Sequence, residues 1–377
     1  MKISSVSILY LRIPFRFPFP HALSGRSESE SIVCVVRDIG GAIGYGEGAP
    51  RYYVTGESLE QSQKGARVLA NKILGLETTS LNELLSFLTS LGASEVARRN
   101  PAAWCAIELS MLDLFSRQVD QPIWKLFTTK PKCKLVKYSA VIPMVTGERL
   151  LELCRFIKEL DLDSIKIKLK DPNKGLETLR LFRSVFGQRA NLRVDFNGAL
   201  SPEESIQFIK NATSFHITAV EQPVEKFDLD GLKNVASNSS VPIIADESLY
   251  TNRGPHYLLD HKICHGLNVR ISSCGGILKS VDLLQKCRRN KIMSLIGAQV
   301  GETAILTAAA LNVAAIFGTP DYMEGGAGSY LLYEDISAND ISFGKKGKAD
   351  VPSEPGLGID VDDQILTKWS DIVFTLP

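Results

Sequence analysis

The pattern of apolar and polar residues changes at about Lys134. From there on, short β-rich runs alternate with longer amphipathic stretches, and eight such runs can be counted. They are LVKYSAV, SIKIKL, LRVD, ITAVE, PIIAD, GLNVR, IMSLIG and DYMEG. Helical patterns such as GLETLRLFRSVFG and SPEESIQFIKNA lie between them. Repeated strand and helix units favour an α/β fold that closes as a parallel TIM barrel, which we predict over residues 131–328.

The residues before this barrel follow a different pattern. The runs SVSILYLRIPF, SIVCVVRD and AIGYGEG are separated by Gly-rich turns, which is typical of an antiparallel sheet. Helices follow, and the clearest one opens at Asn100 and Pro101, which suit the N-cap and the first helical position. We therefore predict an α+β domain over residues 1–130. The irregular residues 329–377 end in the apolar DIVFTLP and are predicted to return to this domain.

Composition and charge argue against some classes of binding partner. The chain has 377 residues and a formal net charge of +1, so no basic surface for nucleic acid or anionic lipid is expected. No apolar run is long enough to predict a membrane span, and the N-terminus lacks the pattern of a signal peptide. The seven cysteines form no CxxC pair and are expected to be reduced. These features favour a cytoplasmic enzyme that acts on a small molecule.

Acidic residues stand at the ends of three successive runs. Asp195 closes LRVD, Glu221 closes ITAVE and Asp246 closes PIIAD, at intervals of 26 and 25 residues. Such intervals fit one strand and one helix each, so the three carboxylates should meet at the same end of neighbouring parallel strands. Oxygen ligands without His or Cys favour Mg²⁺, or else Mn²⁺, over Zn²⁺. Taken singly, each acid could instead cap the helix that follows it.

Basic residues end two other runs. Lys166 and Lys168 alternate along SIKIKL, so they should share one face of the strand and overlook the carboxylates. A solvated strand edge is the alternative for these lysines. Arg270 ends GLNVR, and Glu324 lies in DYMEG.

An ordered set of short motifs resembles the enolase superfamily. The segments YGEGAPRYYVTGES, KIK, VDFN, EQP, ADES, NVRISSCGG and GAQVGET cover nearly the whole chain. They are similar to the mandelate racemase/muconate lactonizing enzyme family and, within it, to the muconate-lactonizing branch. The resemblance implies a (β/α)7β-type barrel, an N-terminal capping domain and a homo-oligomer. It also implies that a metal ion holds a substrate carboxylate while a lysine removes the α-proton, giving an enediolate.

The resemblance assigns roles to individual residues. It implies that the metal ligands are Asp195, Glu221 and Asp246. Lys168 matches the base and Lys166 supports it, although the spacing to Asp195 leaves open that Lys166 is the base. Asn197 and Glu247 are expected to orient a ligand or a catalytic cation.

Arg270 departs from the family pattern. It stands 24 residues after Asp246, where the resemblance implies a second catalytic lysine. Because arginine is a poor proton acceptor, one-base chemistry is expected: a cycloisomerization, or a syn elimination of water of the o-succinylbenzoate-synthase type. A racemase or epimerase of N-acyl amino acids or dipeptides is the alternative, and a catalytically silent carboxylate-binding barrel is another. Glu324 matches a strand-eight glutamate that bonds the opposite cation or the substrate; otherwise it is a loop acid.

Substrate specificity is expected from loops over the barrel mouth. The segment from Phe15 to Arg26 is a predicted lid that offers aromatic contacts and a charge for a distal anion. Its aromatic residues could instead pack into the cap. Gln299 either faces the pocket or caps the helix after it. The specificity residues predicted in all are Arg16, Phe17, Phe19, Arg26, Tyr52, Tyr53 and Gln299.

Overall fold

The computed structural model describes residues 1–19 and 26–377, with the backbone alone for residues 18, 19 and 26. The strands are β1 (Ile3–Phe19), β2 (Arg26–Asp38), β3 (Ile43–Gly48), β4 (Leu135–Lys137), β5 (Ala140–Ile142), β6 (Ser164–Lys168), β7 (Asn191–Asp195), β8 (Ile217–Glu221), β9 (Ile243–Ala245), β10 (Gly266–Arg270), β11 (Met293–Gly297), β12 (Tyr322–Met323), β13 (Lys348–Asp350) and β14 (Ser370–Leu376). The α-helices are α1 (Tyr52–Thr55), α2 (Leu59–Ile73), α3 (Leu81–Gly92), α4 (Glu95–Arg99), α5 (Pro101–Gln118), α6 (Gly147–Glu159), α7 (Pro172–Phe186), α8 (Pro202–Asn211), α9 (Leu229–Asn238), α10 (Gly254–Asp260), α11 (Ile271–Cys274), α12 (Ile277–Arg289), α13 (Ala304–Phe317), α14 (Gly328–Leu331) and α15 (Asp363–Trp369).

An antiparallel sheet carries the N-terminal part of the chain. Its strand order is β14-β1-β2-β3, so the C-terminal strand adds to the edge of the first strand. At the centre, Ile8 lies opposite Phe374 on one side and Cys34 on the other, and all three side chains are buried. The apolar runs at the two ends of the sequence therefore share one core.

Glycines let β3 lie directly on α5. A Cβ atom at Gly46 would collide with the carbonyl oxygen of Ala106, and one at Gly48 would collide with that of Ala102. Two strand residues advance by about 6.8 Å and four helical residues by about 6 Å, so the two repeats stay nearly in step. This match explains why glycine alternates in the run GYGEG.

The barrel consists of eight parallel strands in sequential order, from β5 to β12. The N–H of Ser139, next to β5, donates to the carbonyl oxygen of Met323 in β12 at 2.7 Å and so links the first strand to the last. The predicted α/β barrel fold is confirmed. An apolar cluster of Ala219, Ile244, Leu295 and Tyr322 lies within it. Since strand side chains alternate, Glu221 and Asp246 continue this interior face two positions further on.

The first predicted run was wrong in its extent. Leu135–Lys137 forms β4, which pairs antiparallel with β13, and only Ala140–Ile142 enters the barrel. Between them the buried Tyr138 bonds through its N–H to Gly347 O at 2.8 Å, so the chain leaves one sheet before it joins the other. In the described part of the chain, no helix is long and apolar enough to cross a membrane.

Candidate active site

The predicted acids lie at the carboxyl end of the barrel strands. Asp195 and Glu221 end β7 and β8 and stand in register, and Asp246 directly follows β9. All three are fully buried. Ionised carboxylates in such a place need positive partners, because burial disfavours the charged form.

Lys166 supplies one of these partners. Its Nζ donates to Glu221 Oε1 at 2.9 Å and to Glu324 Oε2 at 2.8 Å, and it lies 3.5 Å from Asp195 Oδ2. Burial alone would lower the pKa of Lys166, but Glu221, Glu324 and Asp195 raise it above its ordinary value. Lys166 is therefore held as a protonated ammonium among three carboxylates.

Arg193 is a second buried cation, and sequence reasoning missed it. Its Nη1 donates to Glu221 Oε2 at 3.2 Å and its Nη2 to Glu324 Oε1 at 2.7 Å. The guanidinium carbon lies 4.0 Å from the centroid of the Tyr322 ring, a cation–π contact. One signal was available: an arginine stands inside the buried run LRVD, two positions before Asp195 and so on the same face.

Lys166 and Arg193 both contact Glu221 and Glu324, but the pKa values of these two carboxylates shift in opposite directions. Burial would raise the pKa of Glu324, but Lys166 and Arg193 lower it to about 2. In Glu221, burial prevails over Lys166 and raises the pKa to about 7, and Asp195 adds to the rise. Glu324 is thus a fixed anion that anchors both cations.

Lys168 lies beside Asp195 on the same strand face as Lys166. Its Nζ donates to Asn197 Oδ1 at 2.9 Å and lies 3.3 Å from Asp195 Oδ2. Asp195 also accepts the backbone N–H of Asn197 at 2.9 Å. Burial would raise the pKa of Asp195, but Lys168 and Lys166 hold it below its usual range.

Asn197 and Glu247, which are predicted to orient a ligand or a catalytic cation, extend this arrangement. Asn197 Nδ2 donates to Glu247 Oε1 at 3.0 Å, while Glu247 Oε2 is buried and has no hydrogen-bond partner. Two amides that the sequence reasoning did not single out hold other acids. Asn268 Nδ2 donates to Glu221 Oε1 at 2.9 Å, and Gln222 Oε1 accepts the backbone N–H of Asp246 at 3.0 Å.

Arg270 faces the lysines from the far side of the barrel. Its strand, β10, is four positions from β6 in a ring of eight strands. Its Nε donates to Asp246 Oδ1 at 2.9 Å and its Nη2 to Asp246 Oδ2, while Nη1 donates to Gln299 Oε1 at 3.0 Å. Burial would lower the pKa of Arg270, but Asp246 and Glu247 raise it well above its ordinary value. Arg270 is therefore a fixed cation.

The three predicted metal ligands, Asp195, Glu221 and Asp246, form ion pairs with lysine and arginine side chains. These pairs occupy carboxylate oxygens that a metal ion would need. In the part of the chain that the structure describes, no three His, Cys, Asp or Glu side chains converge closely enough to hold an ion. Asp195, Glu221 and Asp246 nevertheless suit a hard divalent cation, because their donor atoms are all oxygens. The adjacent Glu247 also has a buried oxygen, Oε2, without a hydrogen-bond partner. The residues fit such an ion if it displaces Arg270 from Asp246 and the lysines from Asp195.

A cavity of about 180 Å³ opens above these residues. Lys168 and Arg270 both line it, as do Gln299 and Phe17. Gln299 does not cap the following helix, since Thr303 is the capping residue of α13.

Those of the remaining predicted specificity residues whose side chains are described do not line the cavity. Arg16 donates to the carbonyl oxygens of Leu332 at 2.8 Å and Tyr333 at 3.2 Å. Tyr52 is 70% exposed, and neither it nor Tyr53 lines the cavity. The side chains of Phe19 and Arg26 lie outside the described residues.

Comparison with known families shows which family the chain belongs to. Residues 3–128 match the mandelate racemase / muconate lactonizing enzyme N-terminal domain, and residues 149–365 match the enolase C-terminal domain-like family. The chain belongs to the mandelate racemase/muconate lactonizing enzyme family of the enolase superfamily.

Individual relatives are mostly epimerases and racemases. The chain is 28% identical to a hydrophobic dipeptide epimerase of Enterococcus faecalis over 84% of this chain and 87% of that protein. It is 24% identical to an N-succinyl-L-Arg/Lys racemase of Bacillus cereus over 99% of this chain and 100% of that protein.

Solved structures agree on the fold. The Enterococcus faecalis dipeptide epimerase complexed with Mg and L-Leu-L-Tyr superposes with a TM-score of 0.87 at 26% identity, covering 96% of this chain and 100% of the other. A 2-chloromuconate cycloisomerase of Rhodococcus opacus has a TM-score of 0.89 at 20% identity, covering 98% and 100%, which shows the fold alone. The expected muconate-lactonizing branch is therefore not specifically supported within the family.

Proposed function

We propose that this enzyme removes the proton α to the carboxylate of a small substrate and that Lys168 is the base. The observation that carries the proposal is the contrast between the two lysines. Both lysines line the cavity, but Lys166 is enclosed by three carboxylates that keep it protonated, whereas Lys168 contacts the amide of Asn197 and the carboxylate of Asp195. Lys166 and Glu324 then act as fixed charges beneath the base, with Arg193 as a third.

The cation expected in this family has its proposed ligands in Asp195, Glu221 and Asp246, with Asn197 and Glu247 to orient them. We propose Mg²⁺, with Mn²⁺ as the alternative. Such an ion offsets the negative charge that develops on a carboxylate as its α-proton leaves. Arg270 contributes a second positive charge on the opposite wall, and its high pKa keeps it from accepting a proton.

The complete reaction has two candidates. Isomerization at the α-carbon of an N-acyl amino acid or a dipeptide comes first, because the named relatives are epimerases and racemases. One-base cycloisomerization or syn elimination of water comes second. Arg270 favours this second candidate, since inversion needs a proton from the wall opposite Lys168. The domain limits at residues 130 and 328, the cytoplasmic location and the homo-oligomeric state stay predictions.

Proton exchange in D₂O tests the common step. N-acyl amino acids and dipeptides of both configurations are incubated with the enzyme and Mg²⁺, and deuterium at Cα is followed by NMR. Lys168→Ala should slow exchange by about 10² to 10⁴-fold. Lys170→Ala is the matched control, because Lys170 is exposed just beyond the strand and should leave the rate unchanged.

The stereochemistry of the product separates the two candidates. Isomerization labels both stereoisomers and inverts the centre, whereas one-base chemistry exchanges one stereoisomer without inversion. If no carboxylate exchanges, or if Lys168→Ala exchanges as fast as the native enzyme, the assignment of the base is wrong and a silent carboxylate-binding barrel becomes the better description.

A further inference from the structure

The cavity above the barrel has two chemically different ends. Among its described lining residues, the acidic and basic ones are Lys166, Lys168, Arg270, Glu302 and Glu324, which all belong to strand ends or to the loops directly after them. The other end lies between α6 and the chain that follows the barrel. Its wall is formed by the apolar and aromatic residues Leu153, Phe156, Ile157, Tyr330, Leu331 and Phe343.

The aromatic residues of this wall form a connected row. Phe156 meets Tyr330 edge-on with ring centroids 6.2 Å apart, and Tyr330 stacks on Phe343 at 5.0 Å. Tyr138 packs against Phe343 with ring centroids 5.8 Å apart but does not itself line the cavity. The Tyr330 hydroxyl donates to the backbone oxygen of Phe343 at 2.9 Å, so its polar atom is already engaged. The row therefore offers ring faces and edges to an occupant.

The two acidic residues that line the cavity, Glu302 and Glu324, already have partners within the protein. Glu324 is held by Lys166 at 2.8 Å and by Arg193 at 2.7 Å. Glu302 accepts the backbone N–H of Gln299 at 2.7 Å, and burial raises its pKa to about 8, which favours its neutral form. A substrate ammonium would compete with Lys166 and Arg193 for Glu324.

Arg16 binds the segment after α14, which forms part of the wall at the apolar end of the cavity. Its guanidinium donates to the carbonyl oxygens of Leu332 and Tyr333, and the N–H of Tyr333 donates to Pro14 O at 2.8 Å. These bonds join β1 to the chain after α14. Arg16 is thereby committed to the wall of the cavity and is not directed at a distal anion.

We infer that the natural substrate carries a single carboxylate and an uncharged apolar group that lies between α6 and the Tyr330–Phe343 pair. This rests on the proposed function, because the carboxylate is taken to bind beside Lys168. Of the two kinds of substrate considered above, we therefore expect an N-acylated amino acid with an apolar side chain or acyl group. A dipeptide with a free amino terminus is disfavoured. The whole cavity, including its polar end, has a volume of about 180 Å³, so the carboxylate and the apolar group must share that space.

A binding series tests the inference without requiring turnover. Propionate, butyrate, pentanoate and hexanoate are titrated into the enzyme with Mg²⁺ by isothermal titration calorimetry, followed by 4-phenylbutyrate. Each methylene that reaches the apolar end should tighten binding by about fourfold. The charged analogues 6-aminohexanoate and adipate, which match hexanoate in length, should bind at least tenfold more weakly than hexanoate.

Two matched variants locate the effect. Phe156 is 44% exposed and lines the cavity, whereas Phe227 is 66% exposed and lies outside it. Phe156→Asp should weaken hexanoate and 4-phenylbutyrate at least tenfold while propionate is unchanged, and Phe156→Leu should restore most of the affinity. Phe227→Asp should change none of these affinities.

The outcomes separate the two proposals. Equal affinity for hexanoate, adipate and 6-aminohexanoate overturns the inferred substrate class, as does an unchanged hexanoate affinity in Phe156→Asp. Graded binding without any Cα exchange supports the apolar end and removes only the assignment of the base. If no carboxylate binds, both proposals are wrong.

Discussion

Replacing Arg270 by methionine isolates its pairing with Asp246. The two side chains are 6% and 0% exposed, so solvent screens their attraction little. Removing one partner of a buried ion pair costs about 3–5 kcal/mol, because a buried charge is left uncompensated. Protonation of Asp246 limits that cost: burial raises the pKa of Asp246 to about 6, so protonating it at pH 7 takes only about 1–2 kcal/mol. Arg270→Met should therefore lose about 1–2 kcal/mol of unfolding free energy.

Magnesium should recover much of this loss. With the guanidinium removed, both oxygens of Asp246 become available to a cation, whereas in the native protein the cation must displace Arg270 first. At a concentration one hundred times Kd, a ligand that binds only the folded state adds about 2.7 kcal/mol. The gain from Mg²⁺ should thus be larger in Arg270→Met than in the native protein.

Urea unfolding followed by circular dichroism, with EDTA or with Mg²⁺, measures both effects. Arg270→Lys is the control: it keeps a charge near Asp246 but not the two-pronged contact, so it should lose less than the methionine variant. An unchanged unfolding free energy in Arg270→Met would refute the energetic role assigned to the pair. An equal Mg²⁺ gain in native and variant proteins would refute the competition for Asp246.

Three further changes probe other parts of the structure. Burial raises the pKa of Glu108 to about 7, so its contribution to stability is complete below the unfolded pKa of about 4.5 and is lost as the pH rises through 7; Glu108→Gln should flatten the fall in unfolding free energy between about pH 5 and pH 8, and an unchanged slope would contradict this. Arg193→Met should cost about 3–5 kcal/mol in urea unfolding, against about 0.5 kcal/mol for the exposed Arg149→Met, and equal losses would argue against the buried network. Gly46→Ala should cost about 1–3 kcal/mol in thermal unfolding, because its Cβ meets the carbonyl of Ala106, and an unchanged Tm would show that β3 can move away from α5.

Some of the site followed from local pattern. Asp195 and Glu221 could be placed at strand ends because an apolar run that stops at an acid is visible in a few consecutive letters. The shared face of Lys166 and Lys168 followed from the two-residue period of a strand. Arg193 obeys the same period relative to Asp195. It was missed because a strand pattern shows that a side chain faces inward but not which carboxylates it meets.

Other features depended on contacts between distant segments. The run LVKYSAV contains two strands because β4 pairs with β13, far along the chain, and no local pattern marks the change at Tyr138. The apolar end of the cavity also depends on distant segments, since Phe156 on α6 meets Tyr330 only after the barrel is complete. The roles first suggested for Arg16 and Tyr52 came from loop position alone, and position does not determine direction.

The sequence by itself determined the strand positions of the charged residues: three carboxylates, two lysines and an arginine at the ends of the parallel strands of a barrel. Only the tertiary structure decided how these charges pair. Lys166 and Arg193 share Glu324 because barrel closure brings β12 back beside the first strands, and Arg270 holds Asp246 because their strands are neighbours. The physical reason is that residue type and strand period act locally, whereas the energy of a buried charge depends on every group around it.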